Sequence, residues 1–394
     1  MISVTEARNL IKINSGILEP KSMAIELSAG LILAEDIFAK TDIPSFPQSS
    51  MDGYAISFSG WKEFHRLNIS GMMAAGSQEK FILSPDQAIR IFTGAAVPEG
   101  ADTVVMQEKT RVIDGQLFID DQFLVMGTNL RPMGAEINSG ALALPKGTKL
   151  SPAAIGFLSG IGIAHVLVYP RPTISIIVTG NELQQPGYPI EYGQVYESNS
   201  YTLRAVLENL QIRNINVHRA IDSLDILTTV LNTAINESDM VLITGGISVG
   251  DFDFVLSATE NCNVEKIFHK VRQKPGKPFY FGKKDQKLIF GLPGNPSSVL
   301  TCFYEYVMHS LHEMTLCDAT LKSVFAPISR KIIKPSGLTQ FLKGHYDAES
   351  VSPLDAQESF RLSSFAKANC LIVLSEEKTE YAKGEIVEVH LLPV

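Results

Sequence analysis

The chain has 394 residues, with 34 Lys+Arg against 42 Asp+Glu for a formal charge of -8, and is 45% hydrophobic and 19% charged. At roughly 100–200 residues per domain this predicts a protein of several domains, and the composition excludes disordered, collagen-like and low-complexity chains. The acidic balance excludes a general affinity for nucleic-acid phosphates and leaves room for a local basic site that takes a small anion.

Residues 1–40 carry apolar positions at helical spacing, including Ala24, Leu27, Leu31, Leu33 and Ala34, which predicts an all-helical opening. From Thr41 the texture changes to short β-type runs at 88–92, 103–106 and 141–144, punctuated by Pro and Gly. A β-rich module is expected over 41–140, with 141–170 joining 1–40 in a helical, linking domain. Ser151 followed by Pro152 predicts a helix start, and Gly160 or Gly162 its end. The apolar stretch 153–169 is too short to span a bilayer and is interrupted by Ser159, Gly160, Gly162 and His165, so it reads as a buried helix running into a strand. The first residues lack a basic segment followed by an apolar one, so a cytoplasmic protein without membrane contact is expected.

The stretch 171–317 alternates strand and helix: 173–178 and 214–220 are extended, 200–210 and 224–235 helical, 240–244 a short apolar strand, and 288–291 leads through a turn into 297–311. This predicts a parallel sheet covered by helices on both faces. After Cys317 the runs 326–333, 370–374 and 386–392 predict a C-terminal β domain over 318–394. The fold class is therefore multidomain, α/β plus β. Cys262, Cys302, Cys317 and Cys370 lack metal-ligand spacing and read as buried thiols in a reducing compartment.

In a doubly wound sheet, ligands bind at the carboxyl ends of the strands. Four such loops carry unusual residues. Thr179-Gly180-Asn181-Glu182-Leu183 combines a permissive glycine with a carboxylate. The run from Thr244 through Gly245, Gly246 and Ser248 to Asp253 offers backbone N–H groups and a hydroxyl to a phosphate, while Asp251 and Asp253 are either Mg²⁺ ligands or helix caps, capping being preferred for Asp251. Lys270-Val271-Arg272-Gln273-Lys274-Pro275-Gly276-Lys277-Pro278 concentrates cations in a loop stiffened by proline. Gly291-Leu292-Pro293-Gly294-Asn295-Pro296 is a rigid turn opening a helix. Together they suit a phosphorylated, nucleotide-like ligand with a divalent cation. The β-rich module adds Ser50-Met51-Asp52-Gly53-Tyr54-Ala55 and Thr93-Gly94-Ala95-Ala96-Val97-Pro98, which unaided read as structural turns. No HExxH or GxSxG spacing supports zinc catalysis or covalent hydrolysis.

In this order the motifs resemble those of the bacterial molybdopterin molybdenumtransferase family, the MoeA-type molybdenum insertases that also form the C-terminal part of gephyrin. The resemblance runs from end to end. It implies a central parallel α/β molybdopterin-binding domain flanked by a β-rich N-terminal module and a C-terminal β domain. It further implies an elongated homodimer whose cleft lies between that domain and the Asp52-bearing module of the other subunit. The implied reaction takes adenylylated molybdopterin and molybdate, uses Mg²⁺ and releases AMP, with transient contacts to molybdopterin-synthesis and cofactor-delivery proteins. Carried over by motif, Asp52, Thr93, Glu182, Asp222, Asp253, Lys270 and Lys274 match catalytic positions. Gly245, Gly246, Ser248, Lys277, Pro293, Gly294, Pro296 and Ser363 match binding positions, and Glu182 with Asp253 would hold Mg²⁺. The sequence departs from the family at Gly134-Ala135-Glu136-Ile137, where Gly-Glu-Asp-Ile is common, and at Lys343, where arginine is usual. A molybdopterin adenylyltransferase and a non-catalytic molybdopterin-binding scaffold are the competing readings.

Overall fold

A computed structural model describes residues 1–247 and 254–393. The chain divides into two units, one comprising Met23–Ala29 and Leu33–Val166, the other Met1–Ser22, Gly30–Ile32 and Leu167–Val394.

In the first unit, side chains that alternate along the strands build cores on both faces of a six-stranded sheet. Ala55, Ile89 and Val104 pack on one face, and their neighbours Ile56, Ala88 and Val105 on the other. Gly53–Ile56 lies between Gln87–Ile91 and Thr103–Met106, antiparallel to both. Gly53 is required there, because a Cβ would lie 1.8 Å from the Val105 carbonyl oxygen. The helix Pro152–Gly160 forms as expected, with Ser151 Oγ accepting from Ala154 N at 3.2 Å, but only Ala154 and Leu158 are buried. The expected buried helix is thus buried along one stripe.

The all-helical opening is corrected. Only Val4–Asn14 is α-helical, capped by Ser3; the rest of 1–40 forms short strands at Lys21–Ala24, Ile32–Leu33 and Ile37–Phe38, with one 3-10 turn at Ile25–Leu27. Gly30 adopts φ +77° and stops any helix, and the consecutive burial of Leu31, Ile32, Leu33 and Ala34 is that of extended chain rather than of a helical stripe.

The second unit contains a doubly wound sheet in the order Ile215–Ala220, Ile174–Thr179, Met240–Thr244, Lys287–Leu292, Tyr280–Lys284, Glu265–His269. Its first four strands are parallel. The last two run as an antiparallel addition, so the expected parallel sheet is mixed at one edge. Helices cover both faces: Asn199–Asn209 and the long helical stretch from Pro296 to Thr315 pack on Ile174, Ile176, Leu242 and Phe290, while Leu224–Glu237 and Val255–Asn261 pack on Ile177, Val241 and Ile289. The C-terminal sheet is built on Thr339–Tyr346, Cys370–Leu374, Ile386–Leu391 and Lys322–Pro327. The short strand Gln273–Lys274 adds to its edge, parallel to Thr339–Gln340. All four cysteines are free and buried. No described helix is long and apolar enough to cross a membrane.

Candidate active site

The parallel strands Ile174–Thr179, Ile215–Ala220, Met240–Thr244 and Lys287–Leu292 end on one side of the sheet, and their loops close a cleft of about 290 Å³. Glu182 and Asp222 contribute acidic residues to its lining, which Gly245, Gly246, Pro278, Pro293 and Gly294 share. Asp222 is held by a reciprocal pair, with Asn181 N donating to Asp222 Oδ2 and Asp222 N to Asn181 Oδ1, both at 3.2 Å. Gly245 and Gly246 adopt φ +89° and +60°. A Cβ on Gly245 would lie 2.7 Å from the Thr179 carbonyl oxygen, so the backbone comes as close to its neighbour as only glycine permits.

Asn199, which lies outside the motifs, and Thr244, which opens one of them without a role assigned to it, also line the cleft. Asn199 donates through Nδ2 to Gly294 O at 2.9 Å and thereby ties the helix Asn199–Asn209 to the Pro293–Gly294 turn. Thr244 is 1% exposed, and its hydroxyl, like Asn199 Oδ1, has no hydrogen-bond partner among the described residues. Ser198-Asn199-Ser200 reads in sequence only as a helix-start signature, which hides this role.

The basic loop flanks the cleft without lining it: Lys274 and Lys277 are exposed, Lys270 half-buried, and only Pro278 reaches the wall. Its rigidity comes from below as much as from its prolines. Gln273 is fully buried, donates from Nε2 to Gly276 O at 3.0 Å and accepts at Oε1 from the Tyr306 hydroxyl. Gly276, at φ +83°, sits where a Cβ would lie 2.6 Å from Cys302 Sγ. Pro296 opens the helix Pro296–Cys302 behind Asn295. Ser363 is exposed on Leu362–Phe365 and does not line the cleft. Ser248 and Asp253, with Asp251, lie outside the described residues.

In the other unit, Thr93 donates to Asp52 Oδ1 through both its backbone N at 2.8 Å and its hydroxyl at 2.7 Å. The backbone N–H first, then the hydroxyl and the Arg90 charge, hold the Asp52 carboxyl below the usual carboxylate range. The two residues are thus one constellation. Glu136, where the sequence is unusual, lines a separate cavity of about 460 Å³ with Arg131, Pro44 and Gln48.

The chemistry of this site is that of charge placement. Burial pushes the Cys370 thiol up to about 12 and that of Cys302 higher still, which removes both as thiolates at neutral pH.

Compared with known proteins, residues 2–162 match the model described as MoeA N-terminal region (domain I and II), 175–313 the probable molybdopterin binding domain, and 326–392 the MoeA C-terminal region (domain IV). Proteins named molybdopterin molybdenumtransferase are 32% identical in Haemophilus influenzae, over 93% of this chain and 94% of that one, and 31% identical in Bacillus subtilis, over 95% and 90%. Two solved structures of the molybdopterin biosynthesis MoeA protein from Pyrococcus horikoshii superpose with TM-scores of 0.83 and 0.75, at 29% and 28% identity, covering 99% and 100% of this chain and the same shares of theirs.

Proposed function

The chain belongs to the MoeA family of molybdopterin molybdenumtransferases, and we propose that its cleft transfers molybdenum from molybdate into adenylylated molybdopterin with release of AMP. It is a transferase of molybdenum cofactor biosynthesis. The observation that carries the mechanism is the strand-end cleft in which a glycine backbone at Gly245–Gly246 faces two carboxylates, Glu182 and Asp222.

Cleaving a phosphoanhydride depends on positioning and charge neutralisation more than on a protein nucleophile. The close-packed Gly245–Gly246 turn serves as the seat of the pterin phosphate. Lys270, Lys274 and Lys277 raise the local concentration of anionic substrate at the mouth, supported by the rigid loop that carries them. Glu182 and Asp222 fit magnesium, which takes one or two carboxylates and completes its shell with phosphate and water oxygens. When bound, magnesium supplies charge neutralisation at the reacting phosphates.

The enzyme is further inferred to act as a cytoplasmic homodimer in which the Asp52–Thr93 pair of one protomer completes the cleft of its partner. The preorganised, exposed Asp52 carboxylate supports that reading. The test is AMP release from adenylylated molybdopterin with and without molybdate and Mg²⁺. Molybdate-dependent release, lost in Glu182→Ala by about 100-fold or more, is expected. Release that ignores molybdate, or survives in Glu182→Ala, overturns it.

A further inference from the structure

The sheet of the first unit carries a cation that is built in rather than left to solvent. Arg90 stands on the strand Gln87–Ile91 directly opposite Tyr54 of the neighbouring antiparallel strand, and Phe92 follows it by two residues. Its guanidinium carbon lies 5.1 Å from the centre of each of these rings. The fork is spent on two neutral acceptors, with Nη1 donating to Gly53 O at 2.8 Å and Nη2 to Gln107 Oε1. Among the described residues Arg90 forms no ion pair, so its charge acts only at range.

The groups that Arg90 touches adjoin the Asp52–Thr93 pair. Gly53 and Tyr54 follow Asp52, and Phe92 directly precedes Thr93, which donates both hydrogen bonds to Asp52 Oδ1. Two successive carbonyls are held. Arg90 takes Gly53 O directly, and it takes Asp52 O through Gln107, whose backbone N donates to Asp52 O at 3.1 Å while its side chain accepts from the guanidinium. Glu108 steadies that side chain, 3.2 Å from Gln107 Nε2. Asp52 and Thr93 are themselves exposed, so packing does little to fix them. A planar fork reaches two acceptors while lying against aromatic rings, which an ammonium cannot do at once. After the backbone N–H and hydroxyl of Thr93, the Arg90 charge also favours the ionised Asp52 carboxyl.

We propose that Arg90 is the positioning residue of the Asp52–Thr93 pair, fixing where that carboxylate stands when it completes the partner's cleft. Resting on the molybdenum-transfer reading and its shared cleft, this gives a role in the reaction to a side chain that acts through Asp52 rather than on the substrate.

The test is molybdate-dependent AMP release by the full chain in wild type, Arg90→Met, Arg90→Lys and Asp52→Ala, at a temperature at which thermal melts show them folded. Arg90→Met is expected to lower kcat by about tenfold or more and to leave KM within about twofold, because a misplaced group costs rate rather than ground-state binding. Arg90→Lys keeps the charge and loses the fork, so its kcat is expected to fall between those of Arg90→Met and wild type. Carbon-detected NMR of the Asp52 carboxyl gives a readout free of turnover. The signal is expected to shift in Arg90→Met and to titrate at higher pH than in wild type, and to move less in Arg90→Lys. Wild-type kcat in either Arg90 variant, or a loss of kcat in Arg90→Met with the Asp52 signal unmoved, overturns the assignment. Should Arg90→Met not fold, Arg90→Lys carries the decision, since full activity there shows the fork to be dispensable. Asp52→Ala separates the two levels: wild-type release from it sinks the shared-cleft reading and this role together, whereas its loss alongside full release from Arg90→Met sinks the Arg90 role alone. Absence of molybdate-dependent release in wild type sinks the transfer reading, and the NMR signal then still decides whether Arg90 holds Asp52.

Discussion

At the scale of single residues, the site is written in glycines and one threonine. Gly245 combines φ +89° with a Cβ position 2.7 Å from a fixed carbonyl oxygen, whereas Gly294 would place its Cβ no nearer than 3.8 Å to any heavy atom and has no positive φ. Gly245→Ala is therefore expected to distort the cleft and lower molybdate-dependent AMP release by about tenfold or more, and Gly294→Ala to melt like wild type; equal melting and activity in both would refute the strain argument. Thr93 makes both hydrogen bonds that depress the Asp52 carboxyl. In Thr93→Val the hydroxyl bond is lost and the backbone bond kept, so carbon-detected NMR titration should find Asp52 titrating at higher pH than in wild type and still below an ordinary aspartate. The glycines were legible because phosphate-cradling turns demand them. The coupling of Asp52 to Thr93, which lie 41 residues apart, was not, because it depends on where Gly53–Ile56 and Gln87–Ile91 pair.

Among the elements, the helical stretch after Pro296 shows how a local irregularity serves the fold. It passes through a π segment at Phe303–Val307 that carries Glu305, buried and bonded to Arg8 from the N-terminal helix and to His390 of the strand Ile386–Leu391 at 2.9 and 3.0 Å. Burial pushes the Glu305 carboxyl up, but His390 and Arg8 outweigh it and hold it low. For His390 burial works downward and the hydrogen bond to Glu305 prevails, raising its pKa. His309 nearby is pushed down to about 4 by burial, reinforced by Arg8. The signs of the two histidines oppose. The stabilisation from His390 is complete below an ordinary histidine pKa of about 6.5 and is lost as pH rises through its elevated value; His309 withdraws stability as pH falls from about 6.5 towards 4, by up to about 3 kcal/mol. Urea titrations across pH should therefore show this unit most stable near pH 6.5. His309→Phe should flatten the acid limb and His390→Phe the alkaline one, and unchanged limbs would contradict the assignment.

The same scale explains Lys343. Its Nζ donates to the carbonyls of Ala356, Glu358 and Arg361 at 2.9, 3.4 and 3.0 Å. The loop so fixed presents Ser359 to Asn295 and Ser297, next to the Pro293–Gly294 turn of the cleft. Lys343→Met should cost on the order of 1–3 kcal/mol in denaturant unfolding, since it removes three charge-assisted hydrogen bonds and leaves the Ser364 hydroxyl as the remaining side-chain donor to the Ala356 and Arg361 carbonyls; unchanged stability would show the loop held without the ammonium.

For the whole molecule, the candidate groups fall in two units, Asp52 with Thr93 in one and Glu182 with Asp222 in the other. If protomers complete each other, a mixture of inactive Asp52→Ala and Glu182→Ala chains, refolded together, should regain about a quarter of wild-type activity per site, because one cleft in a heterodimer is intact; no recovery in a mixed dimer verified by mass would exclude a shared cleft. The strand-helix alternation of the α/β domain, the strand-end loops and the family could all be read along the chain, since periodicity and turn chemistry are local properties. It took the folded chain to show that residues 1–40 are mostly extended, that the sheet ends in antiparallel strands, and that Asn199 joins the cleft while Lys270, Lys274 and Lys277 lie outside its lining. Those outcomes depend on which distant segments pair and bury one another, and Gly30, Gln273 and Asn199 acquire their parts only from neighbours far away in the chain.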